Sequence, residues 1–210
     1  TFNVNEHVLI PRQDTEILVE EVLKELHDGM RVLDMCTGSG CILLSLLHYS
    51  NDCEGLGVDL SAEALEVAGR NVLKVLTPEK AEHAHFLQSD LFEKVEGKFE
   101  IIVSNPPYIA SAEVEKLMPE VRDHEPRMAL DGTEDGLHFY RRIIEEAGKH
   151  LVSSGMLFFE IGYDQGQAVS ELMRTEGYCE VQVVQDYAGL DRVVFGTYVT
   201  VQPAPFEKSR

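Results

Sequence analysis

The feature that most constrains the fold is an alternation. Short apolar runs at 31–35, 54–59, 84–88 and 100–104 are each separated from the next by a helical pattern or a turn. Ile101-Ile102-Val103 is unbroken by polar residues, which fits a parallel strand covered on both faces rather than a half-solvated one. Strand followed by helix, repeated, predicts a parallel sheet with helices on both sides. A fifth strand is expected at 156–161, after Gly155. Two more are expected at 181–184 and 192–199, joined by the short link 188–191, so the last strand must run antiparallel. The expected fold is α/β: a seven-stranded doubly wound sheet, mostly parallel with an antiparallel last strand.

Helices fill the gaps. Ile17, Leu18, Val22, Leu23 and Leu26 give residues 13–26 one apolar face, with Asp14 or Thr15 as the cap. Further helices are expected at 41–48, at 62–76 behind the cap Ser61, at 137–151 and at 165–176. The stretch 109–134 is polar and aperiodic, with a short helix expected near 111–118. No internal repeat divides the chain of 210 residues, a length that suits one domain.

Composition narrows the functional classes. The net charge is −19, from 18 basic and 37 acidic residues. Nucleic-acid binding depends on Lys and Arg that neutralise phosphates, so this balance argues against DNA or RNA as the main substrate and favours a basic protein partner. No apolar stretch is long enough for a membrane helix and no leader pattern is visible at the start. Cys36, Cys41, Cys53 and Cys179 form no Cys-x-x-Cys pair, so they read as small buried hydrophobes in a reducing cytoplasm. His83 and His85 lack a third ligand, and no metal site is expected.

Three strand ends carry chemistry. Thr37-Gly38-Ser39-Gly40 turns the first strand into a helix, where glycines let a ligand approach backbone N–H groups closely. Asp59 closes the second strand, where a carboxylate can accept from both hydroxyls of a ribose, with Leu60 beside it. The third glycine of a dinucleotide turn is missing, since Cys41-Ile42-Leu43 follows Gly40. Asp34 would repel a pyrophosphate, but it can help to hold the ammonium end of a methionine moiety. Asp90, after the third strand, can accept from an adenine amino group, with Leu91 against the ring. Together these residues, with Cys36 in the turn, point to S-adenosyl-L-methionine, with S-adenosyl-L-homocysteine as product. The plainer alternatives are a tight strand–helix turn and, for Asp90, a turn cap.

Asn105-Pro106-Pro107-Tyr108 follows the fourth strand. Prolines fix φ and lack an N–H, so the turn is a rigid array of acceptors unless it is merely a stiffened loop. The Asn105 side-chain oxygen and the Pro106 carbonyl can take both protons of one planar –NH2, and Tyr108 can stack on the group that carries it. Such a nitrogen is a poor nucleophile because its lone pair is delocalised. Two acceptors aim it and draw charge onto it.

That turn, with the glycine turn, resembles the amino-methyltransferases of the seven-stranded, Rossmann-like class I S-adenosylmethionine-dependent group. Leu9-Ile10-Pro11-Arg12-Gln13-Asp14-Thr15-Glu16, Val103-Ser104 before the turn, Glu120-Val121-Arg122, Ala129-Leu130-Asp131-Gly132, Glu160-Ile161-Gly162 and Asp186 to Val194 resemble segments of one branch. This is the HemK/PrmC family, which methylates the glutamine of the Gly-Gly-Gln motif in peptide chain release factors.

The resemblance implies that Asn105, Pro106 and Tyr108 act in catalysis and that Pro11, Arg12 and Pro107 join them in binding substrate. Arg12 could instead pair with Asp14 or Glu16. Cys36 stands where the family has Gly, and a small side chain is expected to fit. Gln13 replaces the family's Pro. Residues 1–200 are expected to form the catalytic domain and 201–210 a loose tail, without the family's N-terminal helical domain. A monomeric cytoplasmic enzyme with release factors as partners is the expectation. Adenine-N6 methylation of nucleic acid, and cofactor binding without catalysis, are the alternatives.

Overall fold

A computed structural model describes residues 1–199, so the expected tail at 201–210 lies outside the described residues. Its elements in chain order are α1 (Thr15–Glu25), β1 (Arg31–Met35), α2 (Cys41–Tyr49), β2 (Glu54–Asp59), α3 (Ala62–Val75), α4 (Pro78–Ala81), β3 (Ala84–Gln88) and β4 (Phe99–Ser104). Then come α5 (Ser111–Val114), α6 (Pro119–Arg122), α7 (Arg127–Leu130), α8 (His138–Ala147), β5 (Leu151–Glu160), α9 (Gly166–Thr175), β6 (Tyr178–Gln185) and β7 (Asp191–Tyr198).

The strands form one seven-stranded sheet in the order β3-β2-β1-β4-β5-β7-β6. β1 to β5 pair in parallel, while β7 inserts between β5 and β6 and is antiparallel to both. The order reverses between β1 and β4. Doubly wound sheets bind ligands outside the carboxyl ends of their strands at such a switch point.

Two apolar layers cover the sheet. One joins Tyr140, Ile143 and Ile144 of α8 and Val169 and Met173 of α9 to Leu33, Ile102 and Phe159. The other joins Leu18 and Val22 of α1 and Leu43, Leu46 and Leu47 of α2 to Val32, Val103 and Phe158. Phe158 and Phe159 are consecutive in β5 and bury on opposite faces, as alternation in a strand requires. The continuous apolar runs therefore mark strands buried on both sides.

Local sequence set most boundaries. Ser61 caps α3, its hydroxyl accepting from the Ala64 N–H at 3.1 Å. α1 starts at Thr15 rather than 13, and Asp14 sits at its N-cap without a side-chain cap bond. Three further expectations fail. The helix expected through 151 ends at Ala147, and β5 begins at Leu151 rather than 156. Leu151 pairs with Phe99, and Ser154 adopts φ +65° as the register shifts, so an irregular strand runs through Ser153-Ser154-Gly155. The stretch 109–134 holds three one-turn helices instead of a single one.

Candidate active site

The strand ends of β1, β2, β3 and β4 surround a cavity of about 280 Å³. The glycine turn forms one wall. Thr37 N–H donates to Val58 O at 2.9 Å, which ties the turn to β2, and Gly38 and Gly40 adopt φ +54° and +77°. A Cβ at Gly38 would meet no atom within 4 Å, so this wall is an open cradle. Cys36 adopts φ +61°. That is the left-handed region, so backbone conformation rather than size is what favours Gly there. Cys36, Thr37, Gly38 and Ser39 all line the cavity.

Asp59 faces the cavity from β2 with both oxygens engaged by backbone. Gly38 N–H donates to Oδ2 at 2.8 Å and Ser61 N–H to Oδ1 at 2.9 Å. Burial raises its pKa while those donors pull it back. Leu60, Asp90 and Leu91 continue the wall. Asp90 also pairs with Arg142 at 3.0 Å, through its Oδ1. Asn105 and Pro107 close the far end, and Pro11 and Thr15 reach it from the start of α1.

Asp34 lies under the turn and does not line the cavity. Its Oδ2 accepts from Thr37 Oγ1 at 2.6 Å and from Leu43 N–H at 3.3 Å, while its Oδ1 is buried with no hydrogen-bond partner among the described residues. Burial pushes its pKa up to about 7. Gly40 is likewise behind the wall, as the residue before α2.

The remaining expected site residues are split. Pro106 is buried. Tyr108 packs toward the α8–α9 core layer, its carbonyl accepting from Gln165 Nε2 at 3.0 Å. Burial lifts the Tyr108 phenol to about 12. Arg12 lines a neighbouring groove beside α1, and its guanidinium pairs with Glu125, neither with Asp14 nor with Glu16. The Glu125 side chain is 3% exposed, so the pair ties the approach to α1 to the loop between α6 and α7. Tertiary contact across 113 residues chose that partner, which local spacing could not show.

The aperiodic stretch braces the Asn-Pro-Pro-Tyr turn. Ile109 N–H donates to Leu130 O at 3.0 Å and Gly132 N–H to Ile109 O at 2.8 Å. A Cβ at Gly132 would lie 2.8 Å from Tyr108 Cα, and one at Gly136 only 2.3 Å from Tyr108 O. Met128, Ala129, Asp131 and Phe139 thereby reach the cavity. Residue patterns missed these four and also Thr15, Gln165 and Glu160. Glu160 ends β5, is 2% exposed and has Oε2 without a partner among the described residues. A carboxylate at the end of the apolar run Leu157-Phe158-Phe159 was the available signal.

A family model described as "Methyltransferase small domain" matches residues 12–121, which include the glycine turn and the Asn-Pro-Pro-Tyr turn. A release factor glutamine methyltransferase from Thermodesulfovibrio yellowstonii is 44% identical over 198 residues, covering 92% of this chain and 70% of that protein. One from Clostridium acetobutylicum is 46% identical over 197 residues, covering 92% and 68%. The chain belongs to the release factor glutamine methyltransferase family. A crystal structure from that family, a protein-(glutamine-N5) methyltransferase (release factor-specific) from Alicyclobacillus acidocaldarius, is 30% identical. It covers 95% of this chain and 100% of its own at a TM-score of 0.54. A methyltransferase from Pyrococcus furiosus shares the fold at 16% identity and TM-score 0.68, covering 95% and 89%.

A member of the release factor glutamine methyltransferase family needs a site for a methyl donor, and this cavity is the candidate. Its walls fit S-adenosylmethionine in kind: an open glycine cradle, an acidic side chain at the end of β2, and apolar Leu60 and Leu91. Among the described residues no helix is long and apolar enough to cross a membrane, and no group of three or more His, Cys, Asp or Glu could hold a metal ion.

Proposed function

We propose that this chain transfers the methyl group of S-adenosylmethionine to the side-chain amide nitrogen of the Gly-Gly-Gln glutamine in peptide chain release factors. The observation that carries the reading is the place of Asn105. It stands at the carboxyl end of β4, on the same cavity as the glycine turn and Asp59, in a chain 44% identical to a release factor glutamine methyltransferase over nearly its whole length.

In this reading the seven-stranded domain is the catalytic domain. Asp59 holds the ribose hydroxyls, Asp90 and Leu91 the adenine, and Cys36 to Gly40 the methionine end, with Asp34 stiffening the turn from below. Asp34 itself does not face the ammonium group, since it is buried behind the turn. When bound, S-adenosylmethionine supplies an electrophilic methyl on a sulfonium. Asn105 Oδ1 and the Pro106 carbonyl accept the two amide protons of the glutamine and hold its nitrogen in line. Pro107 packs on the amide plane with Tyr108 bracing it from the core side, and Pro11 and Arg12 flank the entrance. Holding the amide and drawing electron density onto nitrogen lowers the barrier by positioning and electrostatics. The nitrogen sheds one proton to solvent after the bond forms, so no dedicated strong base is required.

The net charge of −19 supports a protein acceptor over a nucleic acid and suits the cytoplasm where release factors work. The test is mass spectrometry of release factor incubated with the protein and S-adenosylmethionine. The Gly-Gly-Gln glutamine should gain the mass of one CH2. A gain on no glutamine, or on adenine of an added oligonucleotide instead, overturns the reading.

A further inference from the structure

The register of β4 and β5 sets two polar residues side by side. Ser104 pairs with Phe159 in parallel, so the next residue of each strand places Asn105 beside Glu160. Neighbouring strands lie about 4.8 Å apart, within reach of both side chains. Asn105 lines the cavity and Glu160 does not. The Glu160 main chain is clamped: Tyr140 Oη donates to its carbonyl at 2.9 Å, Ile161 N–H donates to Arg192 O at 2.9 Å, and Glu160 pairs with Val193 of β7. The residue is buried, at 2% exposed. Thr15 and Asn105 both stand close enough to favour its charged form.

A primary amide has a donor end and an acceptor end of nearly the same shape. The reading above needs the acceptor end of Asn105 in the cavity. An ionised carboxylate accepts only, so a neighbouring one leaves the amide a single good orientation. We propose that Glu160 is a positioning residue for methyl transfer: its buried carboxylate takes the Asn105 N–H and turns the Asn105 oxygen toward the substrate amide. This rests on the proposed glutamine methylation.

The surroundings leave Glu160 without a cation of its own. Asp14 and Thr15 face it from α1, Cys41 from α2, Tyr108 from the turn, Tyr140 from α8 and Arg192 from β7. Arg192 is already matched by Asp186 at 3.1 Å and Asp14 at 3.3 Å. Burial holds Glu160 at about 7, against the pull of Thr15, Arg192 and Asn105. Protonation turns the carboxylate into a donor, which draws the Asn105 oxygen inward and away from substrate.

Glu160→Gln tests this with two readouts. In kinetics, kcat/KM for release factor should fall about tenfold, as for one charged hydrogen bond, with S-adenosylmethionine affinity within about twofold of wild type. The acid limb near pH 7 should flatten relative to wild type. Asp34 also titrates near 7, but it is present in both proteins, so the difference between the curves reports Glu160. Loss of a buried charge leaves the melting temperature unchanged or raised, which separates positioning from unfolding. In NMR, the Asn105 side-chain NH2 signals, assigned by their loss in Asn105→Ser, should shift with pH in wild type and lose that shift in Glu160→Gln. Asn105 signals that titrate alike in both proteins, or kcat/KM within about twofold of wild type with the acid limb intact, overturn the proposal. If wild type methylates no glutamine while the Asn105 signals still follow Glu160, the substrate reading falls and the positioning stands.

Discussion

Two single residues separate chemistry from scaffold. In the proposed function Asn105 contributes acceptor geometry on the cavity, whereas the cofactor grip is assigned to the glycine turn and Asp59. Asn105→Ala should therefore abolish methyl transfer while S-adenosylmethionine binding, measured by calorimetry, changes by no more than about 1–2 kcal/mol, the size of one hydrogen bond. Cys36 shows the reverse case, a residue under backbone strain. At φ +61° its Cβ crowds the chain, at a cost of about 1 kcal/mol that glycine avoids. Cys36→Gly should raise the unfolding free energy by about 1 kcal/mol, read as a higher urea midpoint, with S-adenosylmethionine still bound. An unchanged or lower midpoint would show that side-chain packing at Cys36 outweighs the strain.

At the scale of elements, the Asn-Pro-Pro-Tyr turn is held by segments far along the chain. Gln165 Nε2 bridges the Tyr108 and Gly136 carbonyls at 3.0 and 3.3 Å, while its Oε1 accepts from Gly162 N–H at 3.0 Å. This staples the end of β4 to the entries of α8 and α9. Gly136, at φ +73°, allows the approach. Gly136→Ala would place a Cβ 2.3 Å from Tyr108 O, a contact no rotamer relieves because the partner is backbone. We expect it to destabilise the fold by about 2–4 kcal/mol, the strain of a forbidden φ plus overpacking, and to reduce transfer more than cofactor binding. Thermal melts and single-turnover assays compare the two effects. Equal losses in both would show that the turn is not the strained part.

Over the whole molecule, burial of two carboxyls couples stability to pH. Asp34 and Glu160 are both held near 7 by desolvation, against ordinary values of about 4. Below about pH 4 each is protonated in folded and unfolded chains alike, and neither opposes folding. Between about 4 and 7 the folded chain keeps protons that the unfolded chain releases, so stability falls as pH rises, and above about 7 the full cost of burying the charge is present. Asp135, held at about 2 by Arg141, acts with the opposite sign but titrates below this window. Asp34→Asn keeps an acceptor for Thr37 and Leu43 but carries no charge. Its stability relative to wild type should increase by about 1–3 kcal/mol between about pH 5 and pH 8, measured by urea denaturation at each pH. A constant difference would mean that Asp34 stays ionised throughout.

The sequence by itself determined the sheet and the floor of the site. Apolar runs, turn glycines and the Ser61 cap act over a few residues, so β1, β2 and β3 appear at their expected bounds, and β4 one residue beyond. Strand ends in a parallel sheet converge on one edge, which is why Gly38, Asp59, Leu91 and Asn105 could be assigned to one cavity from their positions alone. The tertiary structure decided what depends on residues distant in the chain. It made Glu125 the partner of Arg12, started β5 at Leu151 by pairing with Phe99, turned Tyr108 onto the core and set Glu160 beside Asn105. Local preference is read over one turn or one strand, whereas partner choice for a buried charge or an amide is fixed only once packing has removed water and left one neighbour in reach.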